Sequence, residues 1–189
     1  MSKVFDKLDE RLQEFIRNQH MFFVATAPLD PDGFVNVSPK GLDTLRFLPN
    51  GNVAYLDLTG SGVETIAHLR ENGRIVVMFC AFEGKPRIVR LHGKGSVWEP
   101  GDVRYGELEG LFPDYPGARA VIEVKVQRIS DSCGFAVPFY DYVGERAQLQ
   151  SWSEAKGEDG LCRYREEKNR LSIDGLPGLK AASRQADPV

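Results

Sequence analysis

The sequence predicts a mainly β protein with inserted helices (α+β), whose strands close into an antiparallel split β-barrel. Three observations lead there. At least six segments show period-two alternation or short β-prone apolar runs, several of them joined by tight turns. Helical patterns come singly between hairpins rather than after every strand, which argues against a parallel α/β sheet. The dinucleotide fingerprint Gly-x-Gly-x-x-Gly is absent, as are Gly-x-Ser-x-Gly and P-loop patterns.

The elements follow in order. Phe5, Leu8, Leu12, Phe15 and Ile16 sit at helical spacing among charges, which predicts an amphipathic helix over 4–19. Residues 21–27 form a β-prone run, and Pro28, Pro31 and Gly33 turn the chain into a partner strand over 34–39. Alternation puts Phe34, Asn36 and Ser38 on one face and Val35 and Val37 on the other, so the polar face suits either solvent or a ligand. Residues 42–48 and 52–58 read as a second hairpin around the turn at 49–51. A small-residue turn at 59–62 leads into a short helix over 63–72, stopped by Gly73. Residues 74–82 are apolar on both faces and therefore central. In 87–98, Arg87, Val89 and Leu91 share a face, and Gly93 and Gly95 predict a bulge or a close backbone approach. A short helix at 102–111, a loop at 112–117 and a long strand at 118–129 come next. Residues 130–143 read as irregular and aromatic, 145–170 as a charged helix interrupted at 157–160, and 172–178 as turn-rich. The expected organisation is one domain over 1–179, ending in a helical extension, with a flexible tail at 180–189.

Composition narrows the function. With 42% hydrophobic residues among 189, the chain can bury a sizeable core. A net charge of −3 and a pI near 5.7 give no electrostatic case for nucleic acid or an anionic membrane. No apolar run approaches the ~20 residues of a membrane helix. The charged N-terminus is unlike a signal sequence, and Cys80, Cys133 and Cys162 are scattered, so a cytoplasmic setting is expected. Cys133, beside Gly134, is either a reactive thiol or a small buried hydrophobe. No His or Cys pair has metal-ligand spacing.

The chemical clue is the turn at 59–62. The first amides of a helix lack internal partners and carry partial positive charge. Gly60 and Gly62 allow an anion close to that backbone, and Thr59 and Ser61 offer hydroxyls, so the turn can seat a phosphate. The same residues equally make an ordinary cap, with Ser61 as N-cap and Glu64 closing a capping box. Lys40 and Arg90, in or just after strands, are candidate charge-assisted donors to a phosphate. His68 and His92 suit structural roles or, in an alternative reading, haem ligation.

The order of the blocks at 36–41 (Asn-Val-Ser-Pro-Lys-Gly), 55–69 and 72–79 resembles the pyridoxamine 5′-phosphate oxidase-like family of FMN-binding split barrels. The resemblance implies a homodimer with FMN at the subunit interface. It implies that the strand carrying Val37, Ser38 and Lys40 lies along the isoalloxazine ring, with Lys40 in polar contact. It places Asp57, Thr59, Ser61, Gly62 and Val63 around the ribityl chain and phosphate, and Arg90 near the same site. Pyridoxamine phosphate oxidases proper carry Ser-Arg-Lys where this chain has Ser61, Gly62 and Val63. They carry Arg where it has Val35, and a C-terminal Arg-x-His that has no counterpart here. Pyridoxamine phosphate is therefore not the expected substrate, and the phosphate is expected on helix amides, Thr59 and Ser61, helped by Lys40 or Arg90. The expected function is an FMN-dependent oxidoreductase acting on a small molecule, its pocket completed by the partner's 133–142 segment. A deazaflavin- or haem-binding module, and flavin binding without turnover, are the alternatives on the same barrel.

Overall fold

The computed structural model describes residues 3–180, so the tail expected at 180–189 lies, past Lys180, outside the described residues. Among the described residues eight strands form one curled antiparallel sheet in the order β3-β2-β6-β7-β8-β5-β4, with β1 along β8. They are β1 (Lys3–Phe5), β2 (Phe22–Thr26), β3 (Asn36–Lys40), β4 (Leu45–Phe47), β5 (Val53–Leu58), β6 (Arg74–Cys80), β7 (Ile88–Trp98) and β8 (Ala118–Ser132). Helices α1 (Glu10–Arg17), α2 (Glu64–Glu71), α3 (Val103–Leu108) and α4 (Gln148–Lys168) are inserted between or after them, and a 3-10 turn (Glu109–Leu111) follows α3. This is the expected split barrel.

Both expected hairpins form, β2 with β3 and β4 with β5. The longest strand, β8, has 15 residues and serves two neighbours on one side, β5 through its first half and β1 through its second. In β5 both faces are buried. Val53 and Tyr55 join the barrel interior with Val24, Val77, Leu91 and Ile122, and α1 and α2 close it through Leu12, Ile16 and Ile66. Ala54 and Leu56 face a second, smaller core under α3, with Tyr105, Leu108 and Phe112. Burying a Leu or Phe side chain contributes about 1.5–3 kcal/mol, so both faces stabilise β5 and fix where its last residues emerge.

The structure corrects four boundaries. The helix expected over 4–19 begins only at Glu10, where the Asp9 carboxylate accepts from the Leu12 amide at 2.9 Å as an N-cap. Residues Lys3–Phe5 are instead a strand paired with Ile129, Ser130 and Asp131, a long-range pairing that local periodicity does not reveal. Helix α2 begins at Glu64 after Val63, with no side-chain cap, so the Ser61–Glu64 capping box does not form. Strand β8 continues to Ser132, into the segment read as irregular. The glycine signal in β7 is borne out. The register shifts between His92 and Gly93, and a Cβ at Gly93 would strike the Lys125 carbonyl.

Candidate functional site

A cleft of about 1450 Å³ opens where β3 and β5 end, and its far wall is the β6–β7 turn and the segment from Tyr140 to Leu149. Its inner end is set by β5. Asp57 continues the inward row of Val53 and Tyr55, so alternation drives a carboxylate into the barrel end, fully buried. Two cations meet it there: Lys40 Nζ at 2.7 Å and Arg119 Nε at 2.8 Å. A β-bulge delivers Arg119. Asp57 pairs with Ala120 and Leu58 with Ala118, leaving Arg119 as the extra residue of β8, re-aimed towards Asp57.

The helical extension completes the cluster. Arg119 Nη1 donates to Asn169 Oδ1 at 2.9 Å, and Asn169 Nδ2 donates to the Gly60 carbonyl at 2.9 Å. Arg165 Nε donates to Thr59 Oγ1 at 2.8 Å and its Nη2 to the Ala118 carbonyl at 3.1 Å. Thr59 in turn donates to the Gly117 carbonyl at 2.7 Å. Burial alone would raise the Asp57 pKa, but the charges and hydrogen bonds of Arg119 and Lys40 outweigh it and hold the carboxyl at about 2. Arg165 is pushed below the usual guanidinium value, first by burial and then by the Arg119 charge. The cluster thus sets three cations against one carboxylate.

The predicted site residues divide. Lys40 and Asp57 are joined directly, and Lys40 and Thr59 line the cleft. Arg90, on β7, does not line the cleft and donates to Ser132, which does, at 3.0 Å. The structure does not bring Val37, Ser38, Ser61, Gly62 or Val63 into the cleft. Val37 points outward from β3 with 61% exposure, and Ser38 donates to Asn36. Val63 is buried, packed close to Gly178, and the Glu64 carboxylate lies against Gly62. The Glu64 carboxylate thus supplies negative charge beside Gly62, the C-terminal segment packs on Val63, and Ser61 is exposed. Arg119, Arg165 and Asn169 went unnoticed in the sequence. Their one signal was a basic residue at the head of an alternating strand, opposite a strand whose inward row ends in Asp.

The other candidates resolve into structural roles or rim positions. His68 is fully buried, with Nδ1 3.0 Å from Thr26 Oγ1 and Nε2 3.8 Å from Asp174. His92 is half-buried on β7, its pKa lowered by burial and by Arg128 and Arg90. Neither lines the cleft. Cys133 is exposed at its mouth. The outer wall carries Tyr142, stacked on His20 with ring centroids 3.6 Å apart and planes 6° apart, its hydroxyl donating to Glu145 at 2.9 Å. Among the described residues no group of three His, Cys, Asp or Glu could hold a metal, and no helix is long and apolar enough to cross a membrane.

The architecture is thus an antiparallel split barrel with a cleft at one end, backed by a buried ion cluster. The sequence pattern of the family described as pyridoxamine 5′-phosphate oxidase matches residues 8–133, and the chain belongs to that family. It is similar to the pyridoxamine 5′-phosphate oxidase family protein ustO of Aspergillus flavus, with 42% identity over 197 residues covering 95% of this chain and 79% of that protein. Among solved structures it resembles a HupZ protein of Group A Streptococcus. The TM-score is 0.51 at 22% identity, over 66% of this chain and 99% of that one. A pyridoxamine 5′-phosphate oxidase-related, FMN binding protein from Nostoc punctiforme matches at TM-score 0.49 and 9% identity, over 67% and 84% of the two chains. Arg165 and Asn169 lie beyond the residues that the family pattern matches.

Proposed function

We propose that the chain is an FMN-binding flavoprotein and an oxidoreductase acting on a small molecule. The observation that carries this is the inner end of the cleft, where Lys40, Thr59 and Gly60 line a concave surface backed by excess cationic charge. Such an end suits a ligand with an anionic terminus and a flat, mostly apolar body. The cleft exceeds the ~300–1,000 Å³ usual for one small ligand, which leaves room for cofactor and substrate together.

FMN, when bound, supplies the electron transfer, so no side-chain nucleophile or general acid is needed. Asp57 is ionised at any physiological pH and pins the Lys40 ammonium at the cleft wall. A fixed cation there stabilises negative charge on a neighbouring ring. Thr59 and Gly60 belong to the loop that borders the anionic end, and Tyr142 stands on the opposite wall.

Exposed apolar residues in and just before β3 (Phe34, Val35, Val37) and in or just before the outer wall (Phe135, Phe139, Val143) support the homodimer expected of the family. Burial of His68 and the absence of His92 from the residues lining the cleft weaken the motive for haem. A deazaflavin would present the same anionic end and is separated from FMN by its spectrum.

The deciding experiment is an absorbance spectrum of purified protein, with mass identification of whatever denaturation releases. A flavin spectrum with FMN released is expected. Protein that stays colourless after reconstitution with FMN overturns the reading.

A further inference from the structure

Strands β3 and β4 are the two ends of the sheet, so the barrel stays split on that side. A second cavity, of about 440 Å³, lies there between β2 and β4, beside the cleft described above. Its walls are Ile16 on α1, Phe22 on β2, Phe79 on β6, and Leu45 and Phe47 on β4. The Phe22 and Phe79 rings stand with centroids 5.8 Å apart and planes tilted by 34°. Arg17, Asp43 and Arg46, also on the wall, are already paired. Arg46 holds Asp43 through both Nη atoms, at 2.5 and 2.8 Å. Arg17 donates to Glu10 at 3.0 Å and lies over the Phe47 ring. A charged guest would lose water and find no unpaired counter-charge, whereas an uncharged ring gains apolar burial and edge or face contact with phenylalanines. The volume falls near the low end of the ~300–1,000 Å³ usual for small ligands, which suits one or two rings.

Gln19, His20 and Leu42 line both this cavity and the cleft, so the wall between the two is one residue thick. Leu42 is held in that wall against its own preference. Its φ is 61°, and among the described residues it is the one non-glycine residue with positive φ. A left-handed leucine costs about 1–2 kcal/mol. The turn imposes it: Thr44 Oγ1 donates to the Gly41 carbonyl at 2.8 Å, and the Asp43 amide donates to Tyr115 Oη at 3.2 Å. Backbone strain that the surroundings enforce in this way gathers at ligand clamps and switch regions. We propose that the cavity binds an uncharged aromatic ring, the far end of a substrate whose reacting end lies in the cleft, and that Leu42 is the specificity-determining partition between them. The link to turnover rests on the flavin reading above; the ring pocket does not.

The probe is 4-iodophenol, one uncharged ring carrying a heavy atom. Crystals soaked with it are expected to show the iodine anomalous peak among Phe22, Leu45 and Phe79. Iodine found only in the cleft or nowhere overturns the pocket, as does a crystal peak with no heat of binding in solution, which is binding at crystal concentration only. Calorimetric titration is expected to find 4-iodobenzoate, the charged analogue, at least about 10-fold weaker than 4-iodophenol. Equal affinity overturns the uncharged class. Leu45 lines the cavity and not the cleft, so Leu45→Trp fills the pocket alone. It is expected to weaken 4-iodophenol about 10-fold or more with FMN affinity unchanged. Should that variant not fold, Leu45→Phe carries the same comparison with a smaller loss, and unchanged probe affinity in a folded filling variant overturns the pocket. Leu42→Gly removes the partition and suits the left-handed backbone, so its Tm is expected to stay near that of wild type. Its affinity for the longer 4-phenylphenol, relative to 4-iodophenol, is expected to rise about 10-fold as the second ring reaches the cleft. An unchanged ratio overturns the partition and leaves Leu42 a strained turn residue. Wild type that binds 4-iodophenol but no FMN upholds the pocket and removes the flavin reading alone.

Discussion

The two walls of the cleft are held by different physics. The inner wall, at Lys40, Thr59 and Gly60, rests on buried ionic and hydrogen-bonded contacts of 2.7–2.9 Å that reach β5, β8 and α4 at once. The outer wall, from Tyr140 to Leu149, is exposed along most of its length. Its ties include the His20–Tyr142 ring stack, a tilted Phe82–Tyr140 ring pair, the Tyr140 amide on the Phe82 carbonyl, and the Tyr142 amide on Glu83. Removing one buried charge strands its partners, whereas removing one exposed ring costs little. Position is thus fixed at the inner wall, and the outer wall is the more easily displaced of the two.

The largest effect should come from the centre of the inner wall. Asp57→Ala leaves Lys40 and Arg119 without counter-charge, and unfolding in urea should show a loss of about 3–5 kcal/mol. A loss below about 1 kcal/mol would erase the contrast between the walls. Acid probes the same group without mutation. The fold lowers the Asp57 pKa from 3.8 to about 2, so its contribution is complete above the unfolded value and disappears as pH falls towards 2. That shift corresponds to roughly 2 kcal/mol. Denaturation curves between pH 5 and 2 should contain this step in wild type and lack it in Asp57→Asn.

Asn169→Ala comes next, since it leaves the Gly60 carbonyl and Arg119 Nη1 each short of a partner. A loss of about 1–3 kcal/mol is expected by the same denaturation measurement. Smallest in stability is Tyr142→Ala, about 0.5–1.5 kcal/mol for the lost stack, with faster proteolytic cleavage in 134–147. Global destabilisation on the scale of Asp57→Ala, without faster local cleavage, would show that the outer wall is part of the core.

The barrel was readable because its strands carry their own evidence. Alternation in 34–39 and turn residues at 49–51 specify neighbours a few positions away, and the paired registers of β2–β3 and β4–β5 follow from them. Lys40 was readable as a lone cation at a strand end, and Asp57 through the family's block of residues. Arg119 was hidden because a bulge, not the alternation around it, decides where it points. Arg165 and Asn169 were hidden because the charged pattern of 145–170 singles out no face, and their partners lie 106 and 109 positions away. Glu64 folding back against Gly62 and Gly178 arriving on Val63 were hidden too, because the sequence shows neither a side chain's direction nor a contact so far along the chain.

One interruption in α4 separates the two walls mechanically. At Gly157 the backbone takes φ 63° and ψ 175°, so the helix is two rods joined by a residue outside helical geometry. The first rod brings Gln148 and Leu149 to the cleft mouth, and the second brings Arg165 to Thr59. A continuous helix would transmit any displacement of the mouth directly to Arg165. With the joint in place, the entrance can yield to an incoming molecule while the grip on Thr59 stays where it is.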